Sequence, residues 1–332
     1  MKFSHIEGLD KPISKLIFGT ATPKLFAAAA ENASENDKEN VFKLLDEVFE
    51  SGVNTFDCAA IYGEEILGEW MEKRSVRDKC VVVSKCAHPN NWRHRVTDFD
   101  ILSDIHDSLK KLRTDYIDIY LLHRDNDEVP VSVVANVLNR LYDENKIKLF
   151  GGSNWTHQRI EKLNRYASKH SMKGFSVSSP NFSLAEQIAD PYRDGARFGN
   201  GRVTISGKSN ANALNWYAKN NIPVFAYSGL AHGFLSGAFK SDERAKAESF
   251  LDKDGMIGYF CDDNFERLRR CEILAEKKNV TVAQIAIAWI YNQNFEVYAI
   301  SSPATKQHLE SNIAAMDIKL DKDESRWLNL EI

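Results

Sequence analysis

This chain has little of what marks several large protein classes. Its five cysteines, at 58, 80, 86, 261 and 271, are odd in number and form no CxxC pair. Neither a disulfide framework nor a zinc-ribbon spacing is indicated. No window approaches the roughly 18 apolar residues that a membrane-crossing helix needs. The opening stretch MKFSHIEGLDKP lacks the apolar segment of a secretory signal. There is no basic surplus either, since 43 Lys and Arg stand against 47 Asp and Glu. That balance argues against a dedicated nucleic-acid binder, which must neutralise phosphates. The expectation is a cytoplasmic protein with no membrane or nucleic-acid partner. At 332 residues and 43% apolar, it can bury a large core.

Short β-branched or apolar runs recur along the chain, at 15–19, 53–57, 80–85, 116–123, 148–153, 175–179, 223–228 and 297–301. Helix-period stretches follow most of them, at 39–52, 100–115, 131–146, 155–170, 212–221 and 280–293. In VFKLLDEVFE, apolar residues at 41, 42, 44, 45, 48 and 49 have helical spacing, with Gly52 as a stop. Strand–helix alternation implies parallel strands with crossover helices. Eight units predict an α/β fold, a (β/α)8 TIM barrel spanning 1–332 as a single domain. Such barrels need about 250 residues, and the surplus is assigned to long loops at the C-terminal face. The candidate loops are 20–38, 86–99, 183–211 and 229–262, with 27–37 read as mobile.

Polar residues at C-terminal strand ends of a barrel face the mouth. Here they are Asp57, Lys85 and His123, with Tyr62 five residues after Asp57. A buried Lys is costly unless paired, and Asp57 could supply the partner. An unperturbed tyrosine, with a pKa near 10, is a poor acid at neutral pH, and a nearby ammonium lowers that value. Tyr62 could then donate a proton to a developing alkoxide, with His123 as a second donor. This chemistry suits carbonyl reduction, in which a cofactor must bring the hydride. Taken singly, each residue has a structural explanation: a solvated flank, a helix cap, a core histidine, a packing tyrosine. Their arrival at consecutive strand ends is what points to a site.

These residues resemble the aldo-keto reductase superfamily. GVNTFDCAAIYGEEILG (52–68) resembles its first signature, VVVSK (81–85) its lysine strand, and LRTDYIDIYLLH (112–123) its histidine strand. The resemblance implies a tetrad: Tyr62 as general acid, Lys85 as tuner of its pKa, Asp57 as partner of Lys85, and His123 as substrate orienter. It also implies a cofactor, NADPH, with NADH as the other option. FGTA (18–21) matches the first cofactor loop, with Gly19 and Thr20. GGSNW (151–155) matches the motif whose Ser153 and Asn154 bind the nicotinamide carboxamide. Ser179 falls where many members carry Gln. Tyr227 matches the ring that stacks on nicotinamide, followed by Ser228, Gly229 and Leu230 along the pyrophosphate. Ser302, Ala304, Thr305, Lys306, His308 and Asn312 fall in the adenosine segment. Many members have a basic residue at the position of Ala304, and Lys306 is the nearby substitute for holding a 2′-phosphate.

Phe26, Trp92, Trp155 and Phe182 are candidate pocket walls, with His88 and Arg95 near Trp92. That mixture suggests a polar, sugar-like aldehyde or ketone as the small-molecule partner. No metal is expected. His88, His94 and His106 lack ligand spacing, and the strand ends supply too few His and carboxylates for a metal-dependent hydrolase. The insert 190–209 resembles a bacterial subgroup. A second reading follows from potassium-channel β-subunits of the same superfamily: a cofactor-sensing regulatory or binding protein with weak turnover. The sequence leaves natural substrate, reaction direction and oligomeric state open.

Overall fold

The β-branched runs become eight strands that close into a barrel in sequential order. They are β1 (Leu16–Gly19), β2 (Thr55–Asp57), β3 (Val81–Cys86), β4 (Ile117–Leu122), β5 (Ile147–Ser153), β6 (Val177–Ser179), β7 (Val224–Ala226) and β8 (Val297–Ser301). The structure, a computed structural model, describes residues 1–30, 32–191 and 201–332. All eight expected strands are present, with ends within two residues of the expected ones. A short antiparallel pair, Phe3–Ser4 with Ile13–Ser14, precedes them.

The chain divides into two compact units. One contains Met1–Ser179 with Ser302–Lys306; the other contains Gly201–Ser301, Gln307–Ile332 and the described residues from Pro180. The first carries β1–β6 and the helices α1 (Pro23–Ala28), α2 (Glu35–Glu50), α3 (Glu64–Arg74), α4 (Asp98–Leu112), α5 (Val131–Asp143) and α6 (His157–Lys169). Adjacent strands pair in parallel, placing Gly19 beside Asp57, Lys85 beside Leu121, and Ser153 beside Ser179. β3 and β4 are buried along their whole length. They read as near-continuous apolar runs because strands covered on both faces have no solvent side.

The second unit carries β7 and β8, paired in parallel. Its helices are α7 (Ala211–Asn220), α8 (Arg244–Phe250), α9 (Lys253–Tyr259), α10 (Asp262–Lys278), α11 (Val282–Tyr291) and α13 (Lys322–Leu328). The helix α12 (Lys306–Ala314) begins in the segment 302–306.

The expected loops need correction. Within 20–38, Thr22 caps α1, with Pro23 at its first position, a geometry its fixed φ favours. Part of 27–37 is helix rather than mobile loop. Ser34 and Asp37 form a capping box that starts α2, leaving fewer open N–H groups at that end. The stretch 229–262 holds α8 and α9. Residues 192–200 of the insert 190–209 lie outside the described residues.

Candidate active site

Asp57 ends β2, Lys85 lies next to the end of β3, and His123 follows β4. Parallel register brings these ends together, and the Lys85 ammonium is their hub. Its Nζ donates to Asp57 Oδ1 at 2.6 Å, to the Cys58 carbonyl at 2.9 Å and to Tyr62 Oη at 2.9 Å. Three donors meet three acceptors, so this buried charge is satisfied.

Backbone contacts place Tyr62. Its N–H donates to Ala59 O at 2.8 Å, and Ala59 N–H donates back at 3.0 Å. Ala60 N–H donates to Lys85 O at 2.9 Å, pinning this small loop to β3. Gly63 then turns into α3 with φ +77. A Cβ there would sit 2.0 Å from Thr20 Oγ1. Only glycine fits both the left-handed backbone and that approach.

Burial pushes the Tyr62 hydroxyl up to about 12, outweighing the downward pull of Lys85. This corrects the expectation of a net lowering. Burial also works to discharge Lys85, but Asp57 and Tyr62 together hold its ammonium above the usual lysine range. His123 is pushed well below its ordinary value, first by burial and then by the charge of Lys85. At neutral pH the site therefore presents a protonated tyrosine, an ammonium and an uncharged imidazole. Tyr62 and His123 stand edge to face, 5.9 Å between ring centres.

The next strand ends carry a second polar group. Ser153 Oγ donates to Ser179 O at 3.0 Å. Asn154, with φ +59, donates from its amide to Ser153 Oγ at 3.1 Å and to His123 O at 3.3 Å. The Ser179 hydroxyl is buried and has no hydrogen-bond partner among the described residues. Gly19 and Thr20 are buried at the end of β1, where Thr20 Oγ1 donates to Asp57 O at 2.9 Å. Ser302 Oγ donates to Gly19 O at 2.7 Å, so segment 302–306 is anchored to that strand end. Ala304, Thr305 and Lys306 are exposed.

In the other unit, Tyr227 is half-buried just past β7, and Ser228, with φ +56, begins the turn through Gly229 and Leu230. A Cβ at Gly229 would meet the end of the Ile290 side chain at 2.8 Å, which would have to shift. On α12, His308 is exposed, and Asn312 donates to Ser301 Oγ at 2.8 Å.

The candidate substrate walls fare unequally. Phe26 is half exposed and stands edge-on to Tyr62, 6.4 Å between ring centres. Trp92 is 79% exposed and makes no ring contact with the tetrad. Trp155 is fully buried, packed against Phe175 at 4.9 Å with the Arg159 guanidinium 5.3 Å from its ring. It is a packing residue: the missing side chain at Gly152 admits its indole, since a Cβ there would fall 2.6 Å from that ring. Phe182 is likewise buried, against Trp289 and Phe295.

Near these groups stand His88, expected as a polar neighbour of Trp92, and two residues outside the expected set, Arg124 and Lys24. The ring of His88 lies 4.9 Å from that of His123. Its Nδ1 bonds Pro89 O at 2.8 Å, and burial lowers its pKa. Its loop is held by Asp104, which accepts from Ala87 N–H at 2.8 Å and pairs with Arg95. Arg124 donates to His123 O at 3.2 Å. Lys24, on α1, donates to Ala304 O at 3.4 Å. Adjacency to His123 in sequence was the available signal for Arg124; nothing in the sequence connects Lys24 with 304.

The model of the Aldo/keto reductase family matches residues 15–329. Among curated proteins, an aldo-keto reductase, str7, from Strobilurus tenacellus is 26% identical, covering 94% of this chain and 87% of its own. An aryl-alcohol dehydrogenase [NADP(+)] from Phanerodontia chrysosporium is 25% identical, covering 88% of this chain and 76% of its own. Among solved structures, the thermostable aldo-keto reductase Tm1743, crystallised with the inhibitor epalrestat, superposes with a TM-score of 0.70 over 99% of both chains at 22% identity.

Proposed function

The chain belongs to the aldo/keto reductase family, which makes it an oxidoreductase of carbonyl and alcohol groups, and on that premise we propose that it reduces an aldehyde or ketone with NADPH, using Tyr62 as the proton donor. The observation that carries this reading is the 2.9 Å hydrogen bond between Lys85 Nζ and Tyr62 Oη, in a site that keeps Tyr62 protonated. When bound, the nicotinamide supplies the hydride. Tyr62 gives its proton to the carbonyl oxygen as negative charge develops there. The Lys85 ammonium favours the tyrosinate that remains, and Asp57 keeps that ammonium charged. His123, uncharged, orients the same oxygen by hydrogen bonding.

The residues present fit a nicotinamide dinucleotide. An unpartnered buried hydroxyl is costly, and a carboxamide beside Ser153 and Asn154 would satisfy that of Ser179. Gly19, Thr20 and Ser302 form a small-residue group at one strand end that a ligand can approach closely. Tyr227 would stack on the ring, and Ser228, Gly229 and Leu230 would follow the phosphates. His308 and Asn312 would serve the adenosine. Two ammonium groups, Lys24 and Lys306, border Ala304 and Thr305, which favours a 2′-phosphate. The relative from Phanerodontia chrysosporium carries NADP(+) in its name. Phe26 and His88 are the proposed walls around the carbonyl.

The test is a fluorescence titration with NADPH and NADH, followed by turnover of an aldehyde and keto-sugar panel by the native protein and by Tyr62→Phe. Tight binding by both proteins, with turnover only by the native one, is expected. Binding without turnover by either would shift the reading to a cofactor-sensing role. Undiminished turnover by Tyr62→Phe would remove Tyr62 as the acid.

A further inference from the structure

Arginine among the described residues is otherwise a paired residue. Among the described residues, every arginine except Arg124 lies within salt-bridge distance of a carboxylate. Arg124 is half-buried, and among the described residues its hydrogen bond runs from Nη1 to His123 O at 3.2 Å. The neighbouring carboxylate, Asp125, is committed to Arg159 at 2.9 Å. A guanidinium carries five N–H donors in a rigid fork, so most of this one is not engaged by the described residues.

Its position gives that vacancy a meaning. The oxygen it touches also accepts the Asn154 amide at 3.3 Å. The guanidinium thus lies over the backbone of the histidine proposed to orient the carbonyl. Its charge is felt at both the His123 and His88 rings. The groups assigned to the cofactor's phosphates lie on other segments, at 228–230 and 302–306 with Lys24. A half-buried, unpaired cation next to the reacting centre is costly unless the substrate supplies its counter-charge.

We infer that the substrate is an anionic carbonyl compound, bearing a carboxylate or a phosphate that Arg124 receives while Tyr62 and His123 hold the carbonyl oxygen. The inference rests on the reductase reading above and narrows its substrate class. Arg124 acts on binding and specificity; the proton still comes from Tyr62. A carboxylate would take two parallel N–H donors from the fork, whereas a phosphate can also be held by a point charge.

The experiment compares kcat/KM within two pairs of probes: 4-formylbenzoate against its methyl ester, and glycolaldehyde phosphate against glycolaldehyde. The native protein is expected to prefer the anionic member of at least one pair by about tenfold or more, a size consistent with a charge-assisted hydrogen bond. Arg124→Gln should erase that ratio, mainly through KM. Preference in the first pair identifies a carboxylate, and preference in the second identifies a phosphate. Arg124→Lys should keep much of a phosphate preference and lose most of a carboxylate one. Turnover of the neutral aldehydes with no anionic preference, or a preference that survives Arg124→Gln, would overturn the inference. Reduction of none of the four probes would instead overturn the reductase reading beneath it.

Discussion

Gly63→Ala tests whether the Tyr62 loop is positioned by backbone approach. The new methyl carbon would start 2.0 Å from Thr20 Oγ1 and 2.6 Å from Thr20 Cβ, whereas ordinary contact begins at 3.4 Å. Thr20 has little freedom to retreat, because Oγ1 donates to Asp57 O at 2.9 Å and its own N–H donates to the same oxygen. The loop must therefore move, by about 1 Å or more if ordinary contact is to be restored. A left-handed Ala adds about 1–2 kcal/mol of backbone cost. A shift of that size would carry the Tyr62 hydroxyl out of its hydrogen bond with Lys85. Misplacement by about 1 Å costs on the order of 100-fold in rate, or about 2.7 kcal/mol of barrier. The assay is kcat for aldehyde reduction alongside Tm and NADPH affinity. The expected result is a kcat lowered about 100-fold, a modest fall in Tm and nearly native cofactor binding. A kcat within about threefold of native would refute the claim that this approach sets the tyrosine's position.

Other outcomes follow from the charges. A group whose pKa is raised keeps its proton to higher pH, so reduction by Tyr62 should hold flat across mildly alkaline pH and fall only toward about 12. His123, with its pKa lowered, should add no acidic limb near 6.5. A limb there in kcat/KM against pH would count against an uncharged His123. Lys85→Met removes the ammonium that opposes burial at Tyr62, so the pH at which alcohol oxidation rises, which needs tyrosinate, should move up; an oxidation profile that stays in place would argue against that coupling. The double change Lys24→Gln with Lys306→Gln should raise the Kd for NADPH about tenfold or more relative to that for NADH. An unchanged ratio in a fluorescence titration would remove both from 2′-phosphate recognition.

The strands were readable because β-branched runs such as Val81–Val83 have no solvent face to interrupt them. The tetrad stands at fixed offsets from those runs, so strand ends and site candidates came together. What escaped depended on burial or on distant partners. The direction of the Tyr62 shift is one case, since desolvation has no signature in spacing. Trp155 is another: an aromatic after GGSN gives no sign of whether it faces a ligand or slides under Gly152. The helices within 20–38 and 229–262 were hidden by small and polar residues that blur apolar periodicity. The solitude of Arg124 is visible only after every other arginine among the described residues has found its carboxylate.

The Ala59–Tyr62 bridge also bears on how specificity can change over evolution. Its hydrogen bonds run entirely through main-chain atoms, and the two residues it spans, Ala60 and Ile61, sit at its tip. Ile61 is 51% exposed. Substitutions at 61 can therefore change an exposed side chain next to Tyr62 without disturbing the main-chain contacts that hold its loop. With Tyr62 as the proposed proton donor, position 61 is a natural place to begin directed evolution of substrate range.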